Sequence, residues 1–128
     1  MAIDPEAPDA AEQVRKAAGA PILGAIDFVN TEATAALGLE VLAKGGRLVL
    51  VGSMGGELRL SLAGMIFRPR AILGSATGTL ADLHEVVALA RSGRLAPIPL
   101  ERLPREAAND ALARLREGQA KGRIVLEA

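Results

Sequence analysis

Three short runs carry the residue types that binding chemistry would need: Val29-Asn30-Thr31, Val51-Gly52-Ser53 and Ser75-Ala76-Thr77-Gly78. Each follows an apolar stretch with strand character, and ligands of open parallel sheets bind beyond the carboxyl ends of the strands. Glycine at such an end lets a ring or a phosphate approach the backbone, while Ser, Thr and Asn offer hydrogen bonds. The same residue types are ordinary turn and cap formers, so on residue type alone both readings stay open.

Other chemistry is thinly represented. Neither a Gly-x-Gly-x-x-Gly fingerprint between strand and helix nor a Walker loop occurs. Gly52-Ser53-Met54-Gly55-Gly56 is glycine-rich but has neither spacing, and an alternating segment follows it where a helix should start, so it reads as a loop. His84, the single histidine, stands between Leu83 and Glu85 on an expected helix with no acid or nucleophile spaced to join it, which makes it a surface residue. Asp27 lies inside a strand, either as a paired structural carboxylate or as a group near a ligand; the structural reading is preferred. The charges from Glu101-Arg102 to Arg114-Leu115-Arg116-Glu117 read as a solvated helix face. No catalytic constellation emerges. With no cysteine there is no disulfide framework and no thiolate zinc site.

The elements that must position the three runs follow from periodicity. A chain of 128 residues holds one domain with a core, filled here by Leu, Val, Ile and Ala because only 2% of residues are aromatic. Fifteen basic residues balance fifteen acidic ones, so nothing draws the chain to nucleic acid or an anionic membrane. No apolar run approaches the ~18 residues of a membrane span, and the acidic start does not resemble a signal peptide. A soluble cytoplasmic protein is the expectation.

A first helix is expected after Asp9, with Glu12 three residues on, an apolar stripe of Val14, Ala17 and Ala18, and Gly19 as its stop. Ala25–Val29 reads as a short strand. A helix from about Thr31 to Ala43 follows, with Ala33, Leu37, Val41 and Leu42 on one side. Arg47–Val51 is a continuous apolar run, the pattern of a parallel strand buried on both faces. Leu58–Leu62 alternates and so reads as a half-exposed strand. Ala71–Ser75 is the third parallel-strand candidate, and Thr79 with Asp82 opens a helix closed by Gly93. Right-handed crossovers would set three parallel strands side by side with helices on both faces. From Ala96 the character changes: Pro97, Pro99 and Pro104 punctuate an extended stretch, Pro104 suits a first helical position, and Ala108, Ala111, Leu112 and Leu115 form a helical stripe before a last strand over Gly122–Leu126.

Five segments in order carry a resemblance: Ile26-Asp27-Phe28-Val29-Asn30, Lys44-Gly45-Gly46-Arg47-Leu48-Val49-Leu50-Val51-Gly52, Ile72-Leu73-Gly74-Ser75, Glu106-Ala107-Ala108-Asn109-Asp110-Ala111-Leu112 and Lys121-Gly122-Arg123-Ile124-Val125-Leu126. Together they resemble the C-terminal part of the zinc-type alcohol dehydrogenases of the medium-chain dehydrogenase/reductase family. The resemblance covers nearly the whole chain and about the last third of a family member. A methyltransferase piece is a third reading, because Leu42–Leu50 is also similar to the post-helix strand of that fold, but the tail fits the dehydrogenases better.

The resemblance implies an α/β chain. Residues 1–95 would be the C-terminal half of a Rossmann doubly wound parallel sheet, with strands of the 4-5-6 type, and residues 96–128 a return segment resembling part of the GroES-like catalytic domain. Ala2-Ile3-Asp4 would be the stub of a preceding strand. It implies NAD or NADP as cofactor, with weak or no binding by this chain alone, and a zinc ion that this chain does not bind. Val29 and Asn30 would lie beside the cofactor riboses, Asn30 standing where many members carry glycine. Val51, Gly52 and Ser53 would contact the nicotinamide, and Ser75 and Thr77 its carboxamide. Self-association through Leu58–Leu62, Ala71–Ser75 or the exposed Ala25–Val29 strand is expected. Two functions stay open: a partial alcohol-dehydrogenase-like oxidoreductase, inactive alone, and a non-catalytic self-associating module. The resemblance does not make this chain an enzyme by itself.

Overall fold

In the computed structural model, which describes residues 2–127, strands β1 (Gly24–Asp27), β2 (Arg47–Leu50) and β3 (Ala71–Gly74) form one parallel sheet in that spatial order. Its register stacks Ala25, Leu48 and Ile72 in one row and Ile26, Val49 and Leu73 in the next. Helix α1 (Ala10–Ala18) precedes β1, α2 (Glu32–Val41) joins β1 to β2, and α3 (Leu62–Phe67) joins β2 to β3. The α/β half-sheet expected from the sequence is therefore present. Contacts divide the chain at Thr77/Gly78 into two units. The sequence reading places its boundary at 95/96.

Why α2 forms is plain at both ends. Thr31 in extended conformation caps it, accepting from the Thr34 amide while the Thr34 hydroxyl accepts from the Thr31 amide. Its last turn holds no basic residue, yet arginines from elsewhere cover its open carbonyls. Arg68 donates to Leu42 O at 2.5 Å, Arg70 to Leu39 O at 2.7 Å and Arg15 to Glu40 O at 2.8 Å. These groups have no helical partner of their own and sit at the negative end of the helix dipole, where cations belong.

α2 lies on one face of the sheet, and α1 lies on α2. The core is small: Leu39, Leu42 and Leu48, with Ile22, Ala25, Leu50, Leu58 and Ile72 packed around them. Of the expected stripe of Ala33, Leu37, Val41 and Leu42, Val41 and Leu42 are buried, Leu37 is half-buried and Ala33 is exposed, while Ala35 and Leu39 are buried on the side that Leu42 shares. In α1 the buried residue is Ala10, while Ala17 and Ala18 are exposed. The expectation of a β2 buried on both faces also needs correction. Alternate strand residues face opposite ways. Leu48 is fully buried on the α2 face, but on the other face Val49 is only half-buried, flanked by Ile26 of β1 and Leu73 of β3, which are 61% and 47% exposed.

Two further expectations fail. Leu58–Leu62 is not a strand: Ser61 accepts from the Gly64 amide at 3.1 Å and so starts α3, the hydroxyl overriding the alternating pattern. Ala2-Ile3-Asp4 is not a strand stub either, since Asp4 turns the chain by accepting from the Glu6 and Ala7 amides.

In the second unit, α4 (Leu80–Arg91) starts on the expected Thr79–Asp82 capping box. Strands β4 (Leu100–Pro104) and β5 (Arg123–Glu127) pair in parallel, and a 3-10 turn (Arg105–Ala107) leads from β4 into α5 (Ala108–Arg116). In a two-stranded sheet both strands are edges, which is how Pro104 is accommodated. The expected solvated charge run is partly a tie: Arg114 grips Glu101 on β4 with two bonds of 2.9 and 2.7 Å. That grip holds the Glu101 carboxyl below its ordinary value. No helix among the described residues is long and apolar enough to cross a membrane.

Candidate functional site

Asp27 closes β1 and is buried. Its Oδ1 accepts from the Asn30 amide at 2.7 Å and the Val29 amide at 2.9 Å, and its Oδ2 accepts from the Thr34 hydroxyl at 2.7 Å. A charge taken out of water survives only if its lone pairs are filled in this way. Burial pushes the carboxyl up, but the bonds from Asn30, Thr34 and Val29 together outweigh it and hold Asp27 below its ordinary value of 3.8. A depressed folded value means stability that is present above 3.8 and is lost as pH falls through the lower folded value.

The same residue binds the next strand end. Its carbonyl accepts from the Val51 amide at 2.8 Å and the Gly52 amide at 3.0 Å. In return, the Asn30 side-chain amide donates to Gly52 O at 3.0 Å, and the Met54 amide donates to Val29 O at 3.2 Å. Gly52 sits so close to β1 that a Cβ there would lie 2.5 Å from the Phe28 carbonyl carbon and oxygen. The third end joins through the Ser75 amide, which donates to Leu50 O at 2.9 Å.

Of the seven candidate residues, Val29, Asn30, Val51, Gly52 and Ser53 thus form one interlocked pair of turns, with Ser75 bonded to the end of β2. Thr77 stands two residues further along, exposed and without a described hydrogen bond. Val29, Val51, Ser53 and Ser75 are also exposed, so the three strand ends present a line of backbone and hydroxyl groups to solvent. Asn30 and Thr77 hold left-handed backbone, φ +63° and +44°. Asparagine tolerates this, whereas for a β-branched threonine it costs on the order of 1–3 kcal/mol.

The sequence reading missed Thr34 and reached Asp27 only as a structural carboxylate. The available signal was the spacing Asp27, Val29, Asn30, which allows an Asx-type turn onto the carboxylate. His84 lies on α4, exposed, as expected. For zinc, the chain offers no cysteine, and the described residues hold no cluster of three or more His, Asp or Glu that could ligate it. These residues do not fit a metal centre.

Parallel strands joined by helices, with turns gathered beyond their carboxyl ends, define an open α/β sheet of the Rossmann kind. The chain belongs to the zinc-binding dehydrogenase family, whose profile matches residues 2–126. It is 40% identical over 123 residues to an NAD-dependent alcohol dehydrogenase of Sulfolobus acidocaldarius, a match that covers 91% of this chain and 34% of that protein. It is 36% identical over 102 residues to a D-arabinose 1-dehydrogenase (NADP(+)) of Saccharolobus solfataricus, covering 80% of this chain and 29% of that one. The alcohol dehydrogenase of Aeropyrum pernix superimposes with a TM-score of 0.82 at 34% identity over 94% of this chain and 35% of the enzyme. The chain therefore spans about a third of the length of these relatives.

Proposed function

We propose that this chain supplies the nicotinamide-side half of an NAD(P) cleft in an alcohol-dehydrogenase-type oxidoreductase. The observation that carries the reading is the interlocked set of strand ends: Val29 and Asn30, Val51–Ser53, and Ser75. When bound, the cofactor exchanges hydride with an alcohol or carbonyl carbon. Toward it, Val29 and Asn30 would flank the riboses, the Val51–Ser53 turn would lie against the nicotinamide, and Ser75 and Thr77 would bond its carboxamide. Gly52 keeps the turn flush with β1, and Val51, 38% exposed, offers an apolar wall to a ring. A phosphate-binding glycine loop is not among these residues, so cofactor binding by this chain alone is weak and the chain alone is inactive.

Titration of the isotope-labelled chain with NADH and NADPH to millimolar levels, followed by amide NMR, tests this. Shifts gathered at residues 29–30, 51–53 and 75–77 are expected. Their absence at millimolar cofactor overturns the reading, and micromolar affinity by calorimetry would overturn the claim that binding by this chain alone is weak.

A second reading, a self-associating module, is favoured by the outer edges of β1 and β3, which pair with no strand among the described residues. Beside them stands the half-open row of Ile26 and Leu73. Leu58–Leu62 offers no strand edge of its own, since it leads into α3. Size-exclusion chromatography with light scattering should then give a dimer or larger species, and a clean monomer would sink the module.

A further inference from the structure

Asp27 does more than fill a buried position: among the described residues outside the two turns, it is the one bonded to both. Its carboxylate holds the 29–31 turn through two amides, and its carbonyl holds the 51–52 turn through two more. A third arm, through Oδ2 and the Thr34 hydroxyl, ties both to the start of α2. Among the described residues no Lys or Arg forms an ion pair with it. Every lone pair in use points at the chain's own loop and helix, so the group is spent on geometry and is not available to a ligand.

We propose that Asp27 is the positioning residue of this cleft, setting the separation of the 29–31 and 51–53 turns through its carboxylate and its carbonyl. The role rests, for its functional meaning, on the cofactor reading above, but the geometry stands apart from it. A neutral amide in place of the carboxylate keeps the shape and gives up the charge-assisted bonds, which are about twice as strong as neutral ones. The Asn30 backbone, at φ +63° and bonded to Oδ1, is then held by a weaker bond, which loosens the turn from which its side-chain amide reaches Gly52 O. A loosened supporting shell costs a site its preorganisation before it costs the fold.

The test compares Asp27→Asn with Thr34→Val in the full chain. Thr34→Val removes the Oδ2 partner and the Thr34 half of the α2 capping box yet leaves the Thr31 cap and both bonds to Oδ1, so it should destabilise the chain while leaving the two turns in place. Without any ligand, Asp27→Asn should displace the amide signals of Asn30, Val51 and Gly52 and speed their hydrogen exchange about tenfold, an effect of one charge-assisted bond. Thr34→Val should leave those of Val51 and Gly52 unchanged. With NADH, the affinity of Asp27→Asn should fall about tenfold, again one lost bond. Unchanged Val51 and Gly52 signals in Asp27→Asn, or equal displacement in both variants, overturn the proposal. No NADH response in the wild type overturns the cofactor reading instead and leaves the ligand-free comparison decisive for Asp27. Should Asp27→Asn not fold, the wild type serves as pH is lowered. The amides of Asn30 and Gly52 should then move together with the Asp27 carboxyl carbon, and independent movement overturns the proposal.

Discussion

Gly52→Ala is expected to lower the stability of the first unit by about 3 kcal/mol. A Cβ at this position meets the Phe28 carbonyl at 2.5 Å and stands closer still to the Val29 carbonyl carbon. The obstacle is backbone, not the end of a flexible side chain, so the strand ends themselves have to part. Overpacking of this kind costs about 1–3 kcal/mol. Parting the turns also weakens the Gly52 amide bond to Asp27 O and the Asn30 bond to Gly52 O, each worth about 1 kcal/mol. Urea unfolding with Gly74→Ala as control checks this. Gly74 ends β3, and a methyl added there would have nothing within 4 Å, so its replacement should be neutral or slightly stabilising. A loss below about 1 kcal/mol for Gly52→Ala would mean that the two turns are not interlocked.

The places where sequence and structure agree are those where one local cause decides. Thr79 and Asp82 cap α4 as their spacing foretells, and Gly19 ends α1 in left-handed backbone at φ +62°. The three parallel strands are legible as short apolar runs. Where two local causes compete, the pattern misleads. Leu58-Arg59-Leu60-Ser61-Leu62 alternates like a strand, but Ser61 can cap a helix, and the capped helix is what forms. The helical stripe of Ala33, Leu37, Val41 and Leu42 on α2 is buried only at its C-terminal end, because tertiary packing sets Ala35, Leu39 and Leu42 toward β2 and leaves Ala33 exposed.

The cleft shows the same division. That residues 29–31, 51–53 and 75–77 end three strands is readable from periodicity. Which strand end touches which is not, because the bonds to Asp27 O from Val51 and Gly52, and from Asn30 to Gly52 O, span more than twenty residues of intervening helix, loop and strand. Arg68 and Arg70 are likewise silent in sequence, since their partners are carbonyls of α2 that any residue could supply. A buried aspartate inside a short strand is the strongest clue available, and its meaning lies in the amides that surround it rather than in a charged mate.

Leu48→Ala is expected to cost about 3–4 kcal/mol, in the range of large-to-small changes at fully buried leucines. Leu48 is fully buried at the centre of β2, with Leu39 and Leu42 above it and Ala25 and Ile72 at its sides. α2 comes so close here that a Cβ on Gly38 would lie 2.8 Å from Leu48 Cδ1, so the backbone of the helix forms part of the wall. The core cannot refill the space, because Leu39, Leu42 and Leu48 are all it has in fully packed aliphatic residues. Domain stabilities run to about 5–15 kcal/mol, so the loss is a large share of the total. Leu73→Ala, on the opposite face of the neighbouring strand and 47% exposed, should cost about 1 kcal/mol or less. Urea unfolding of the two variants, with slopes matching the wild type, measures the asymmetry. Equal costs would mean that the chain in solution covers both faces of the sheet, the arrangement that the apolar run of β2 suggests, and a self-associated species would then be the first thing to look for.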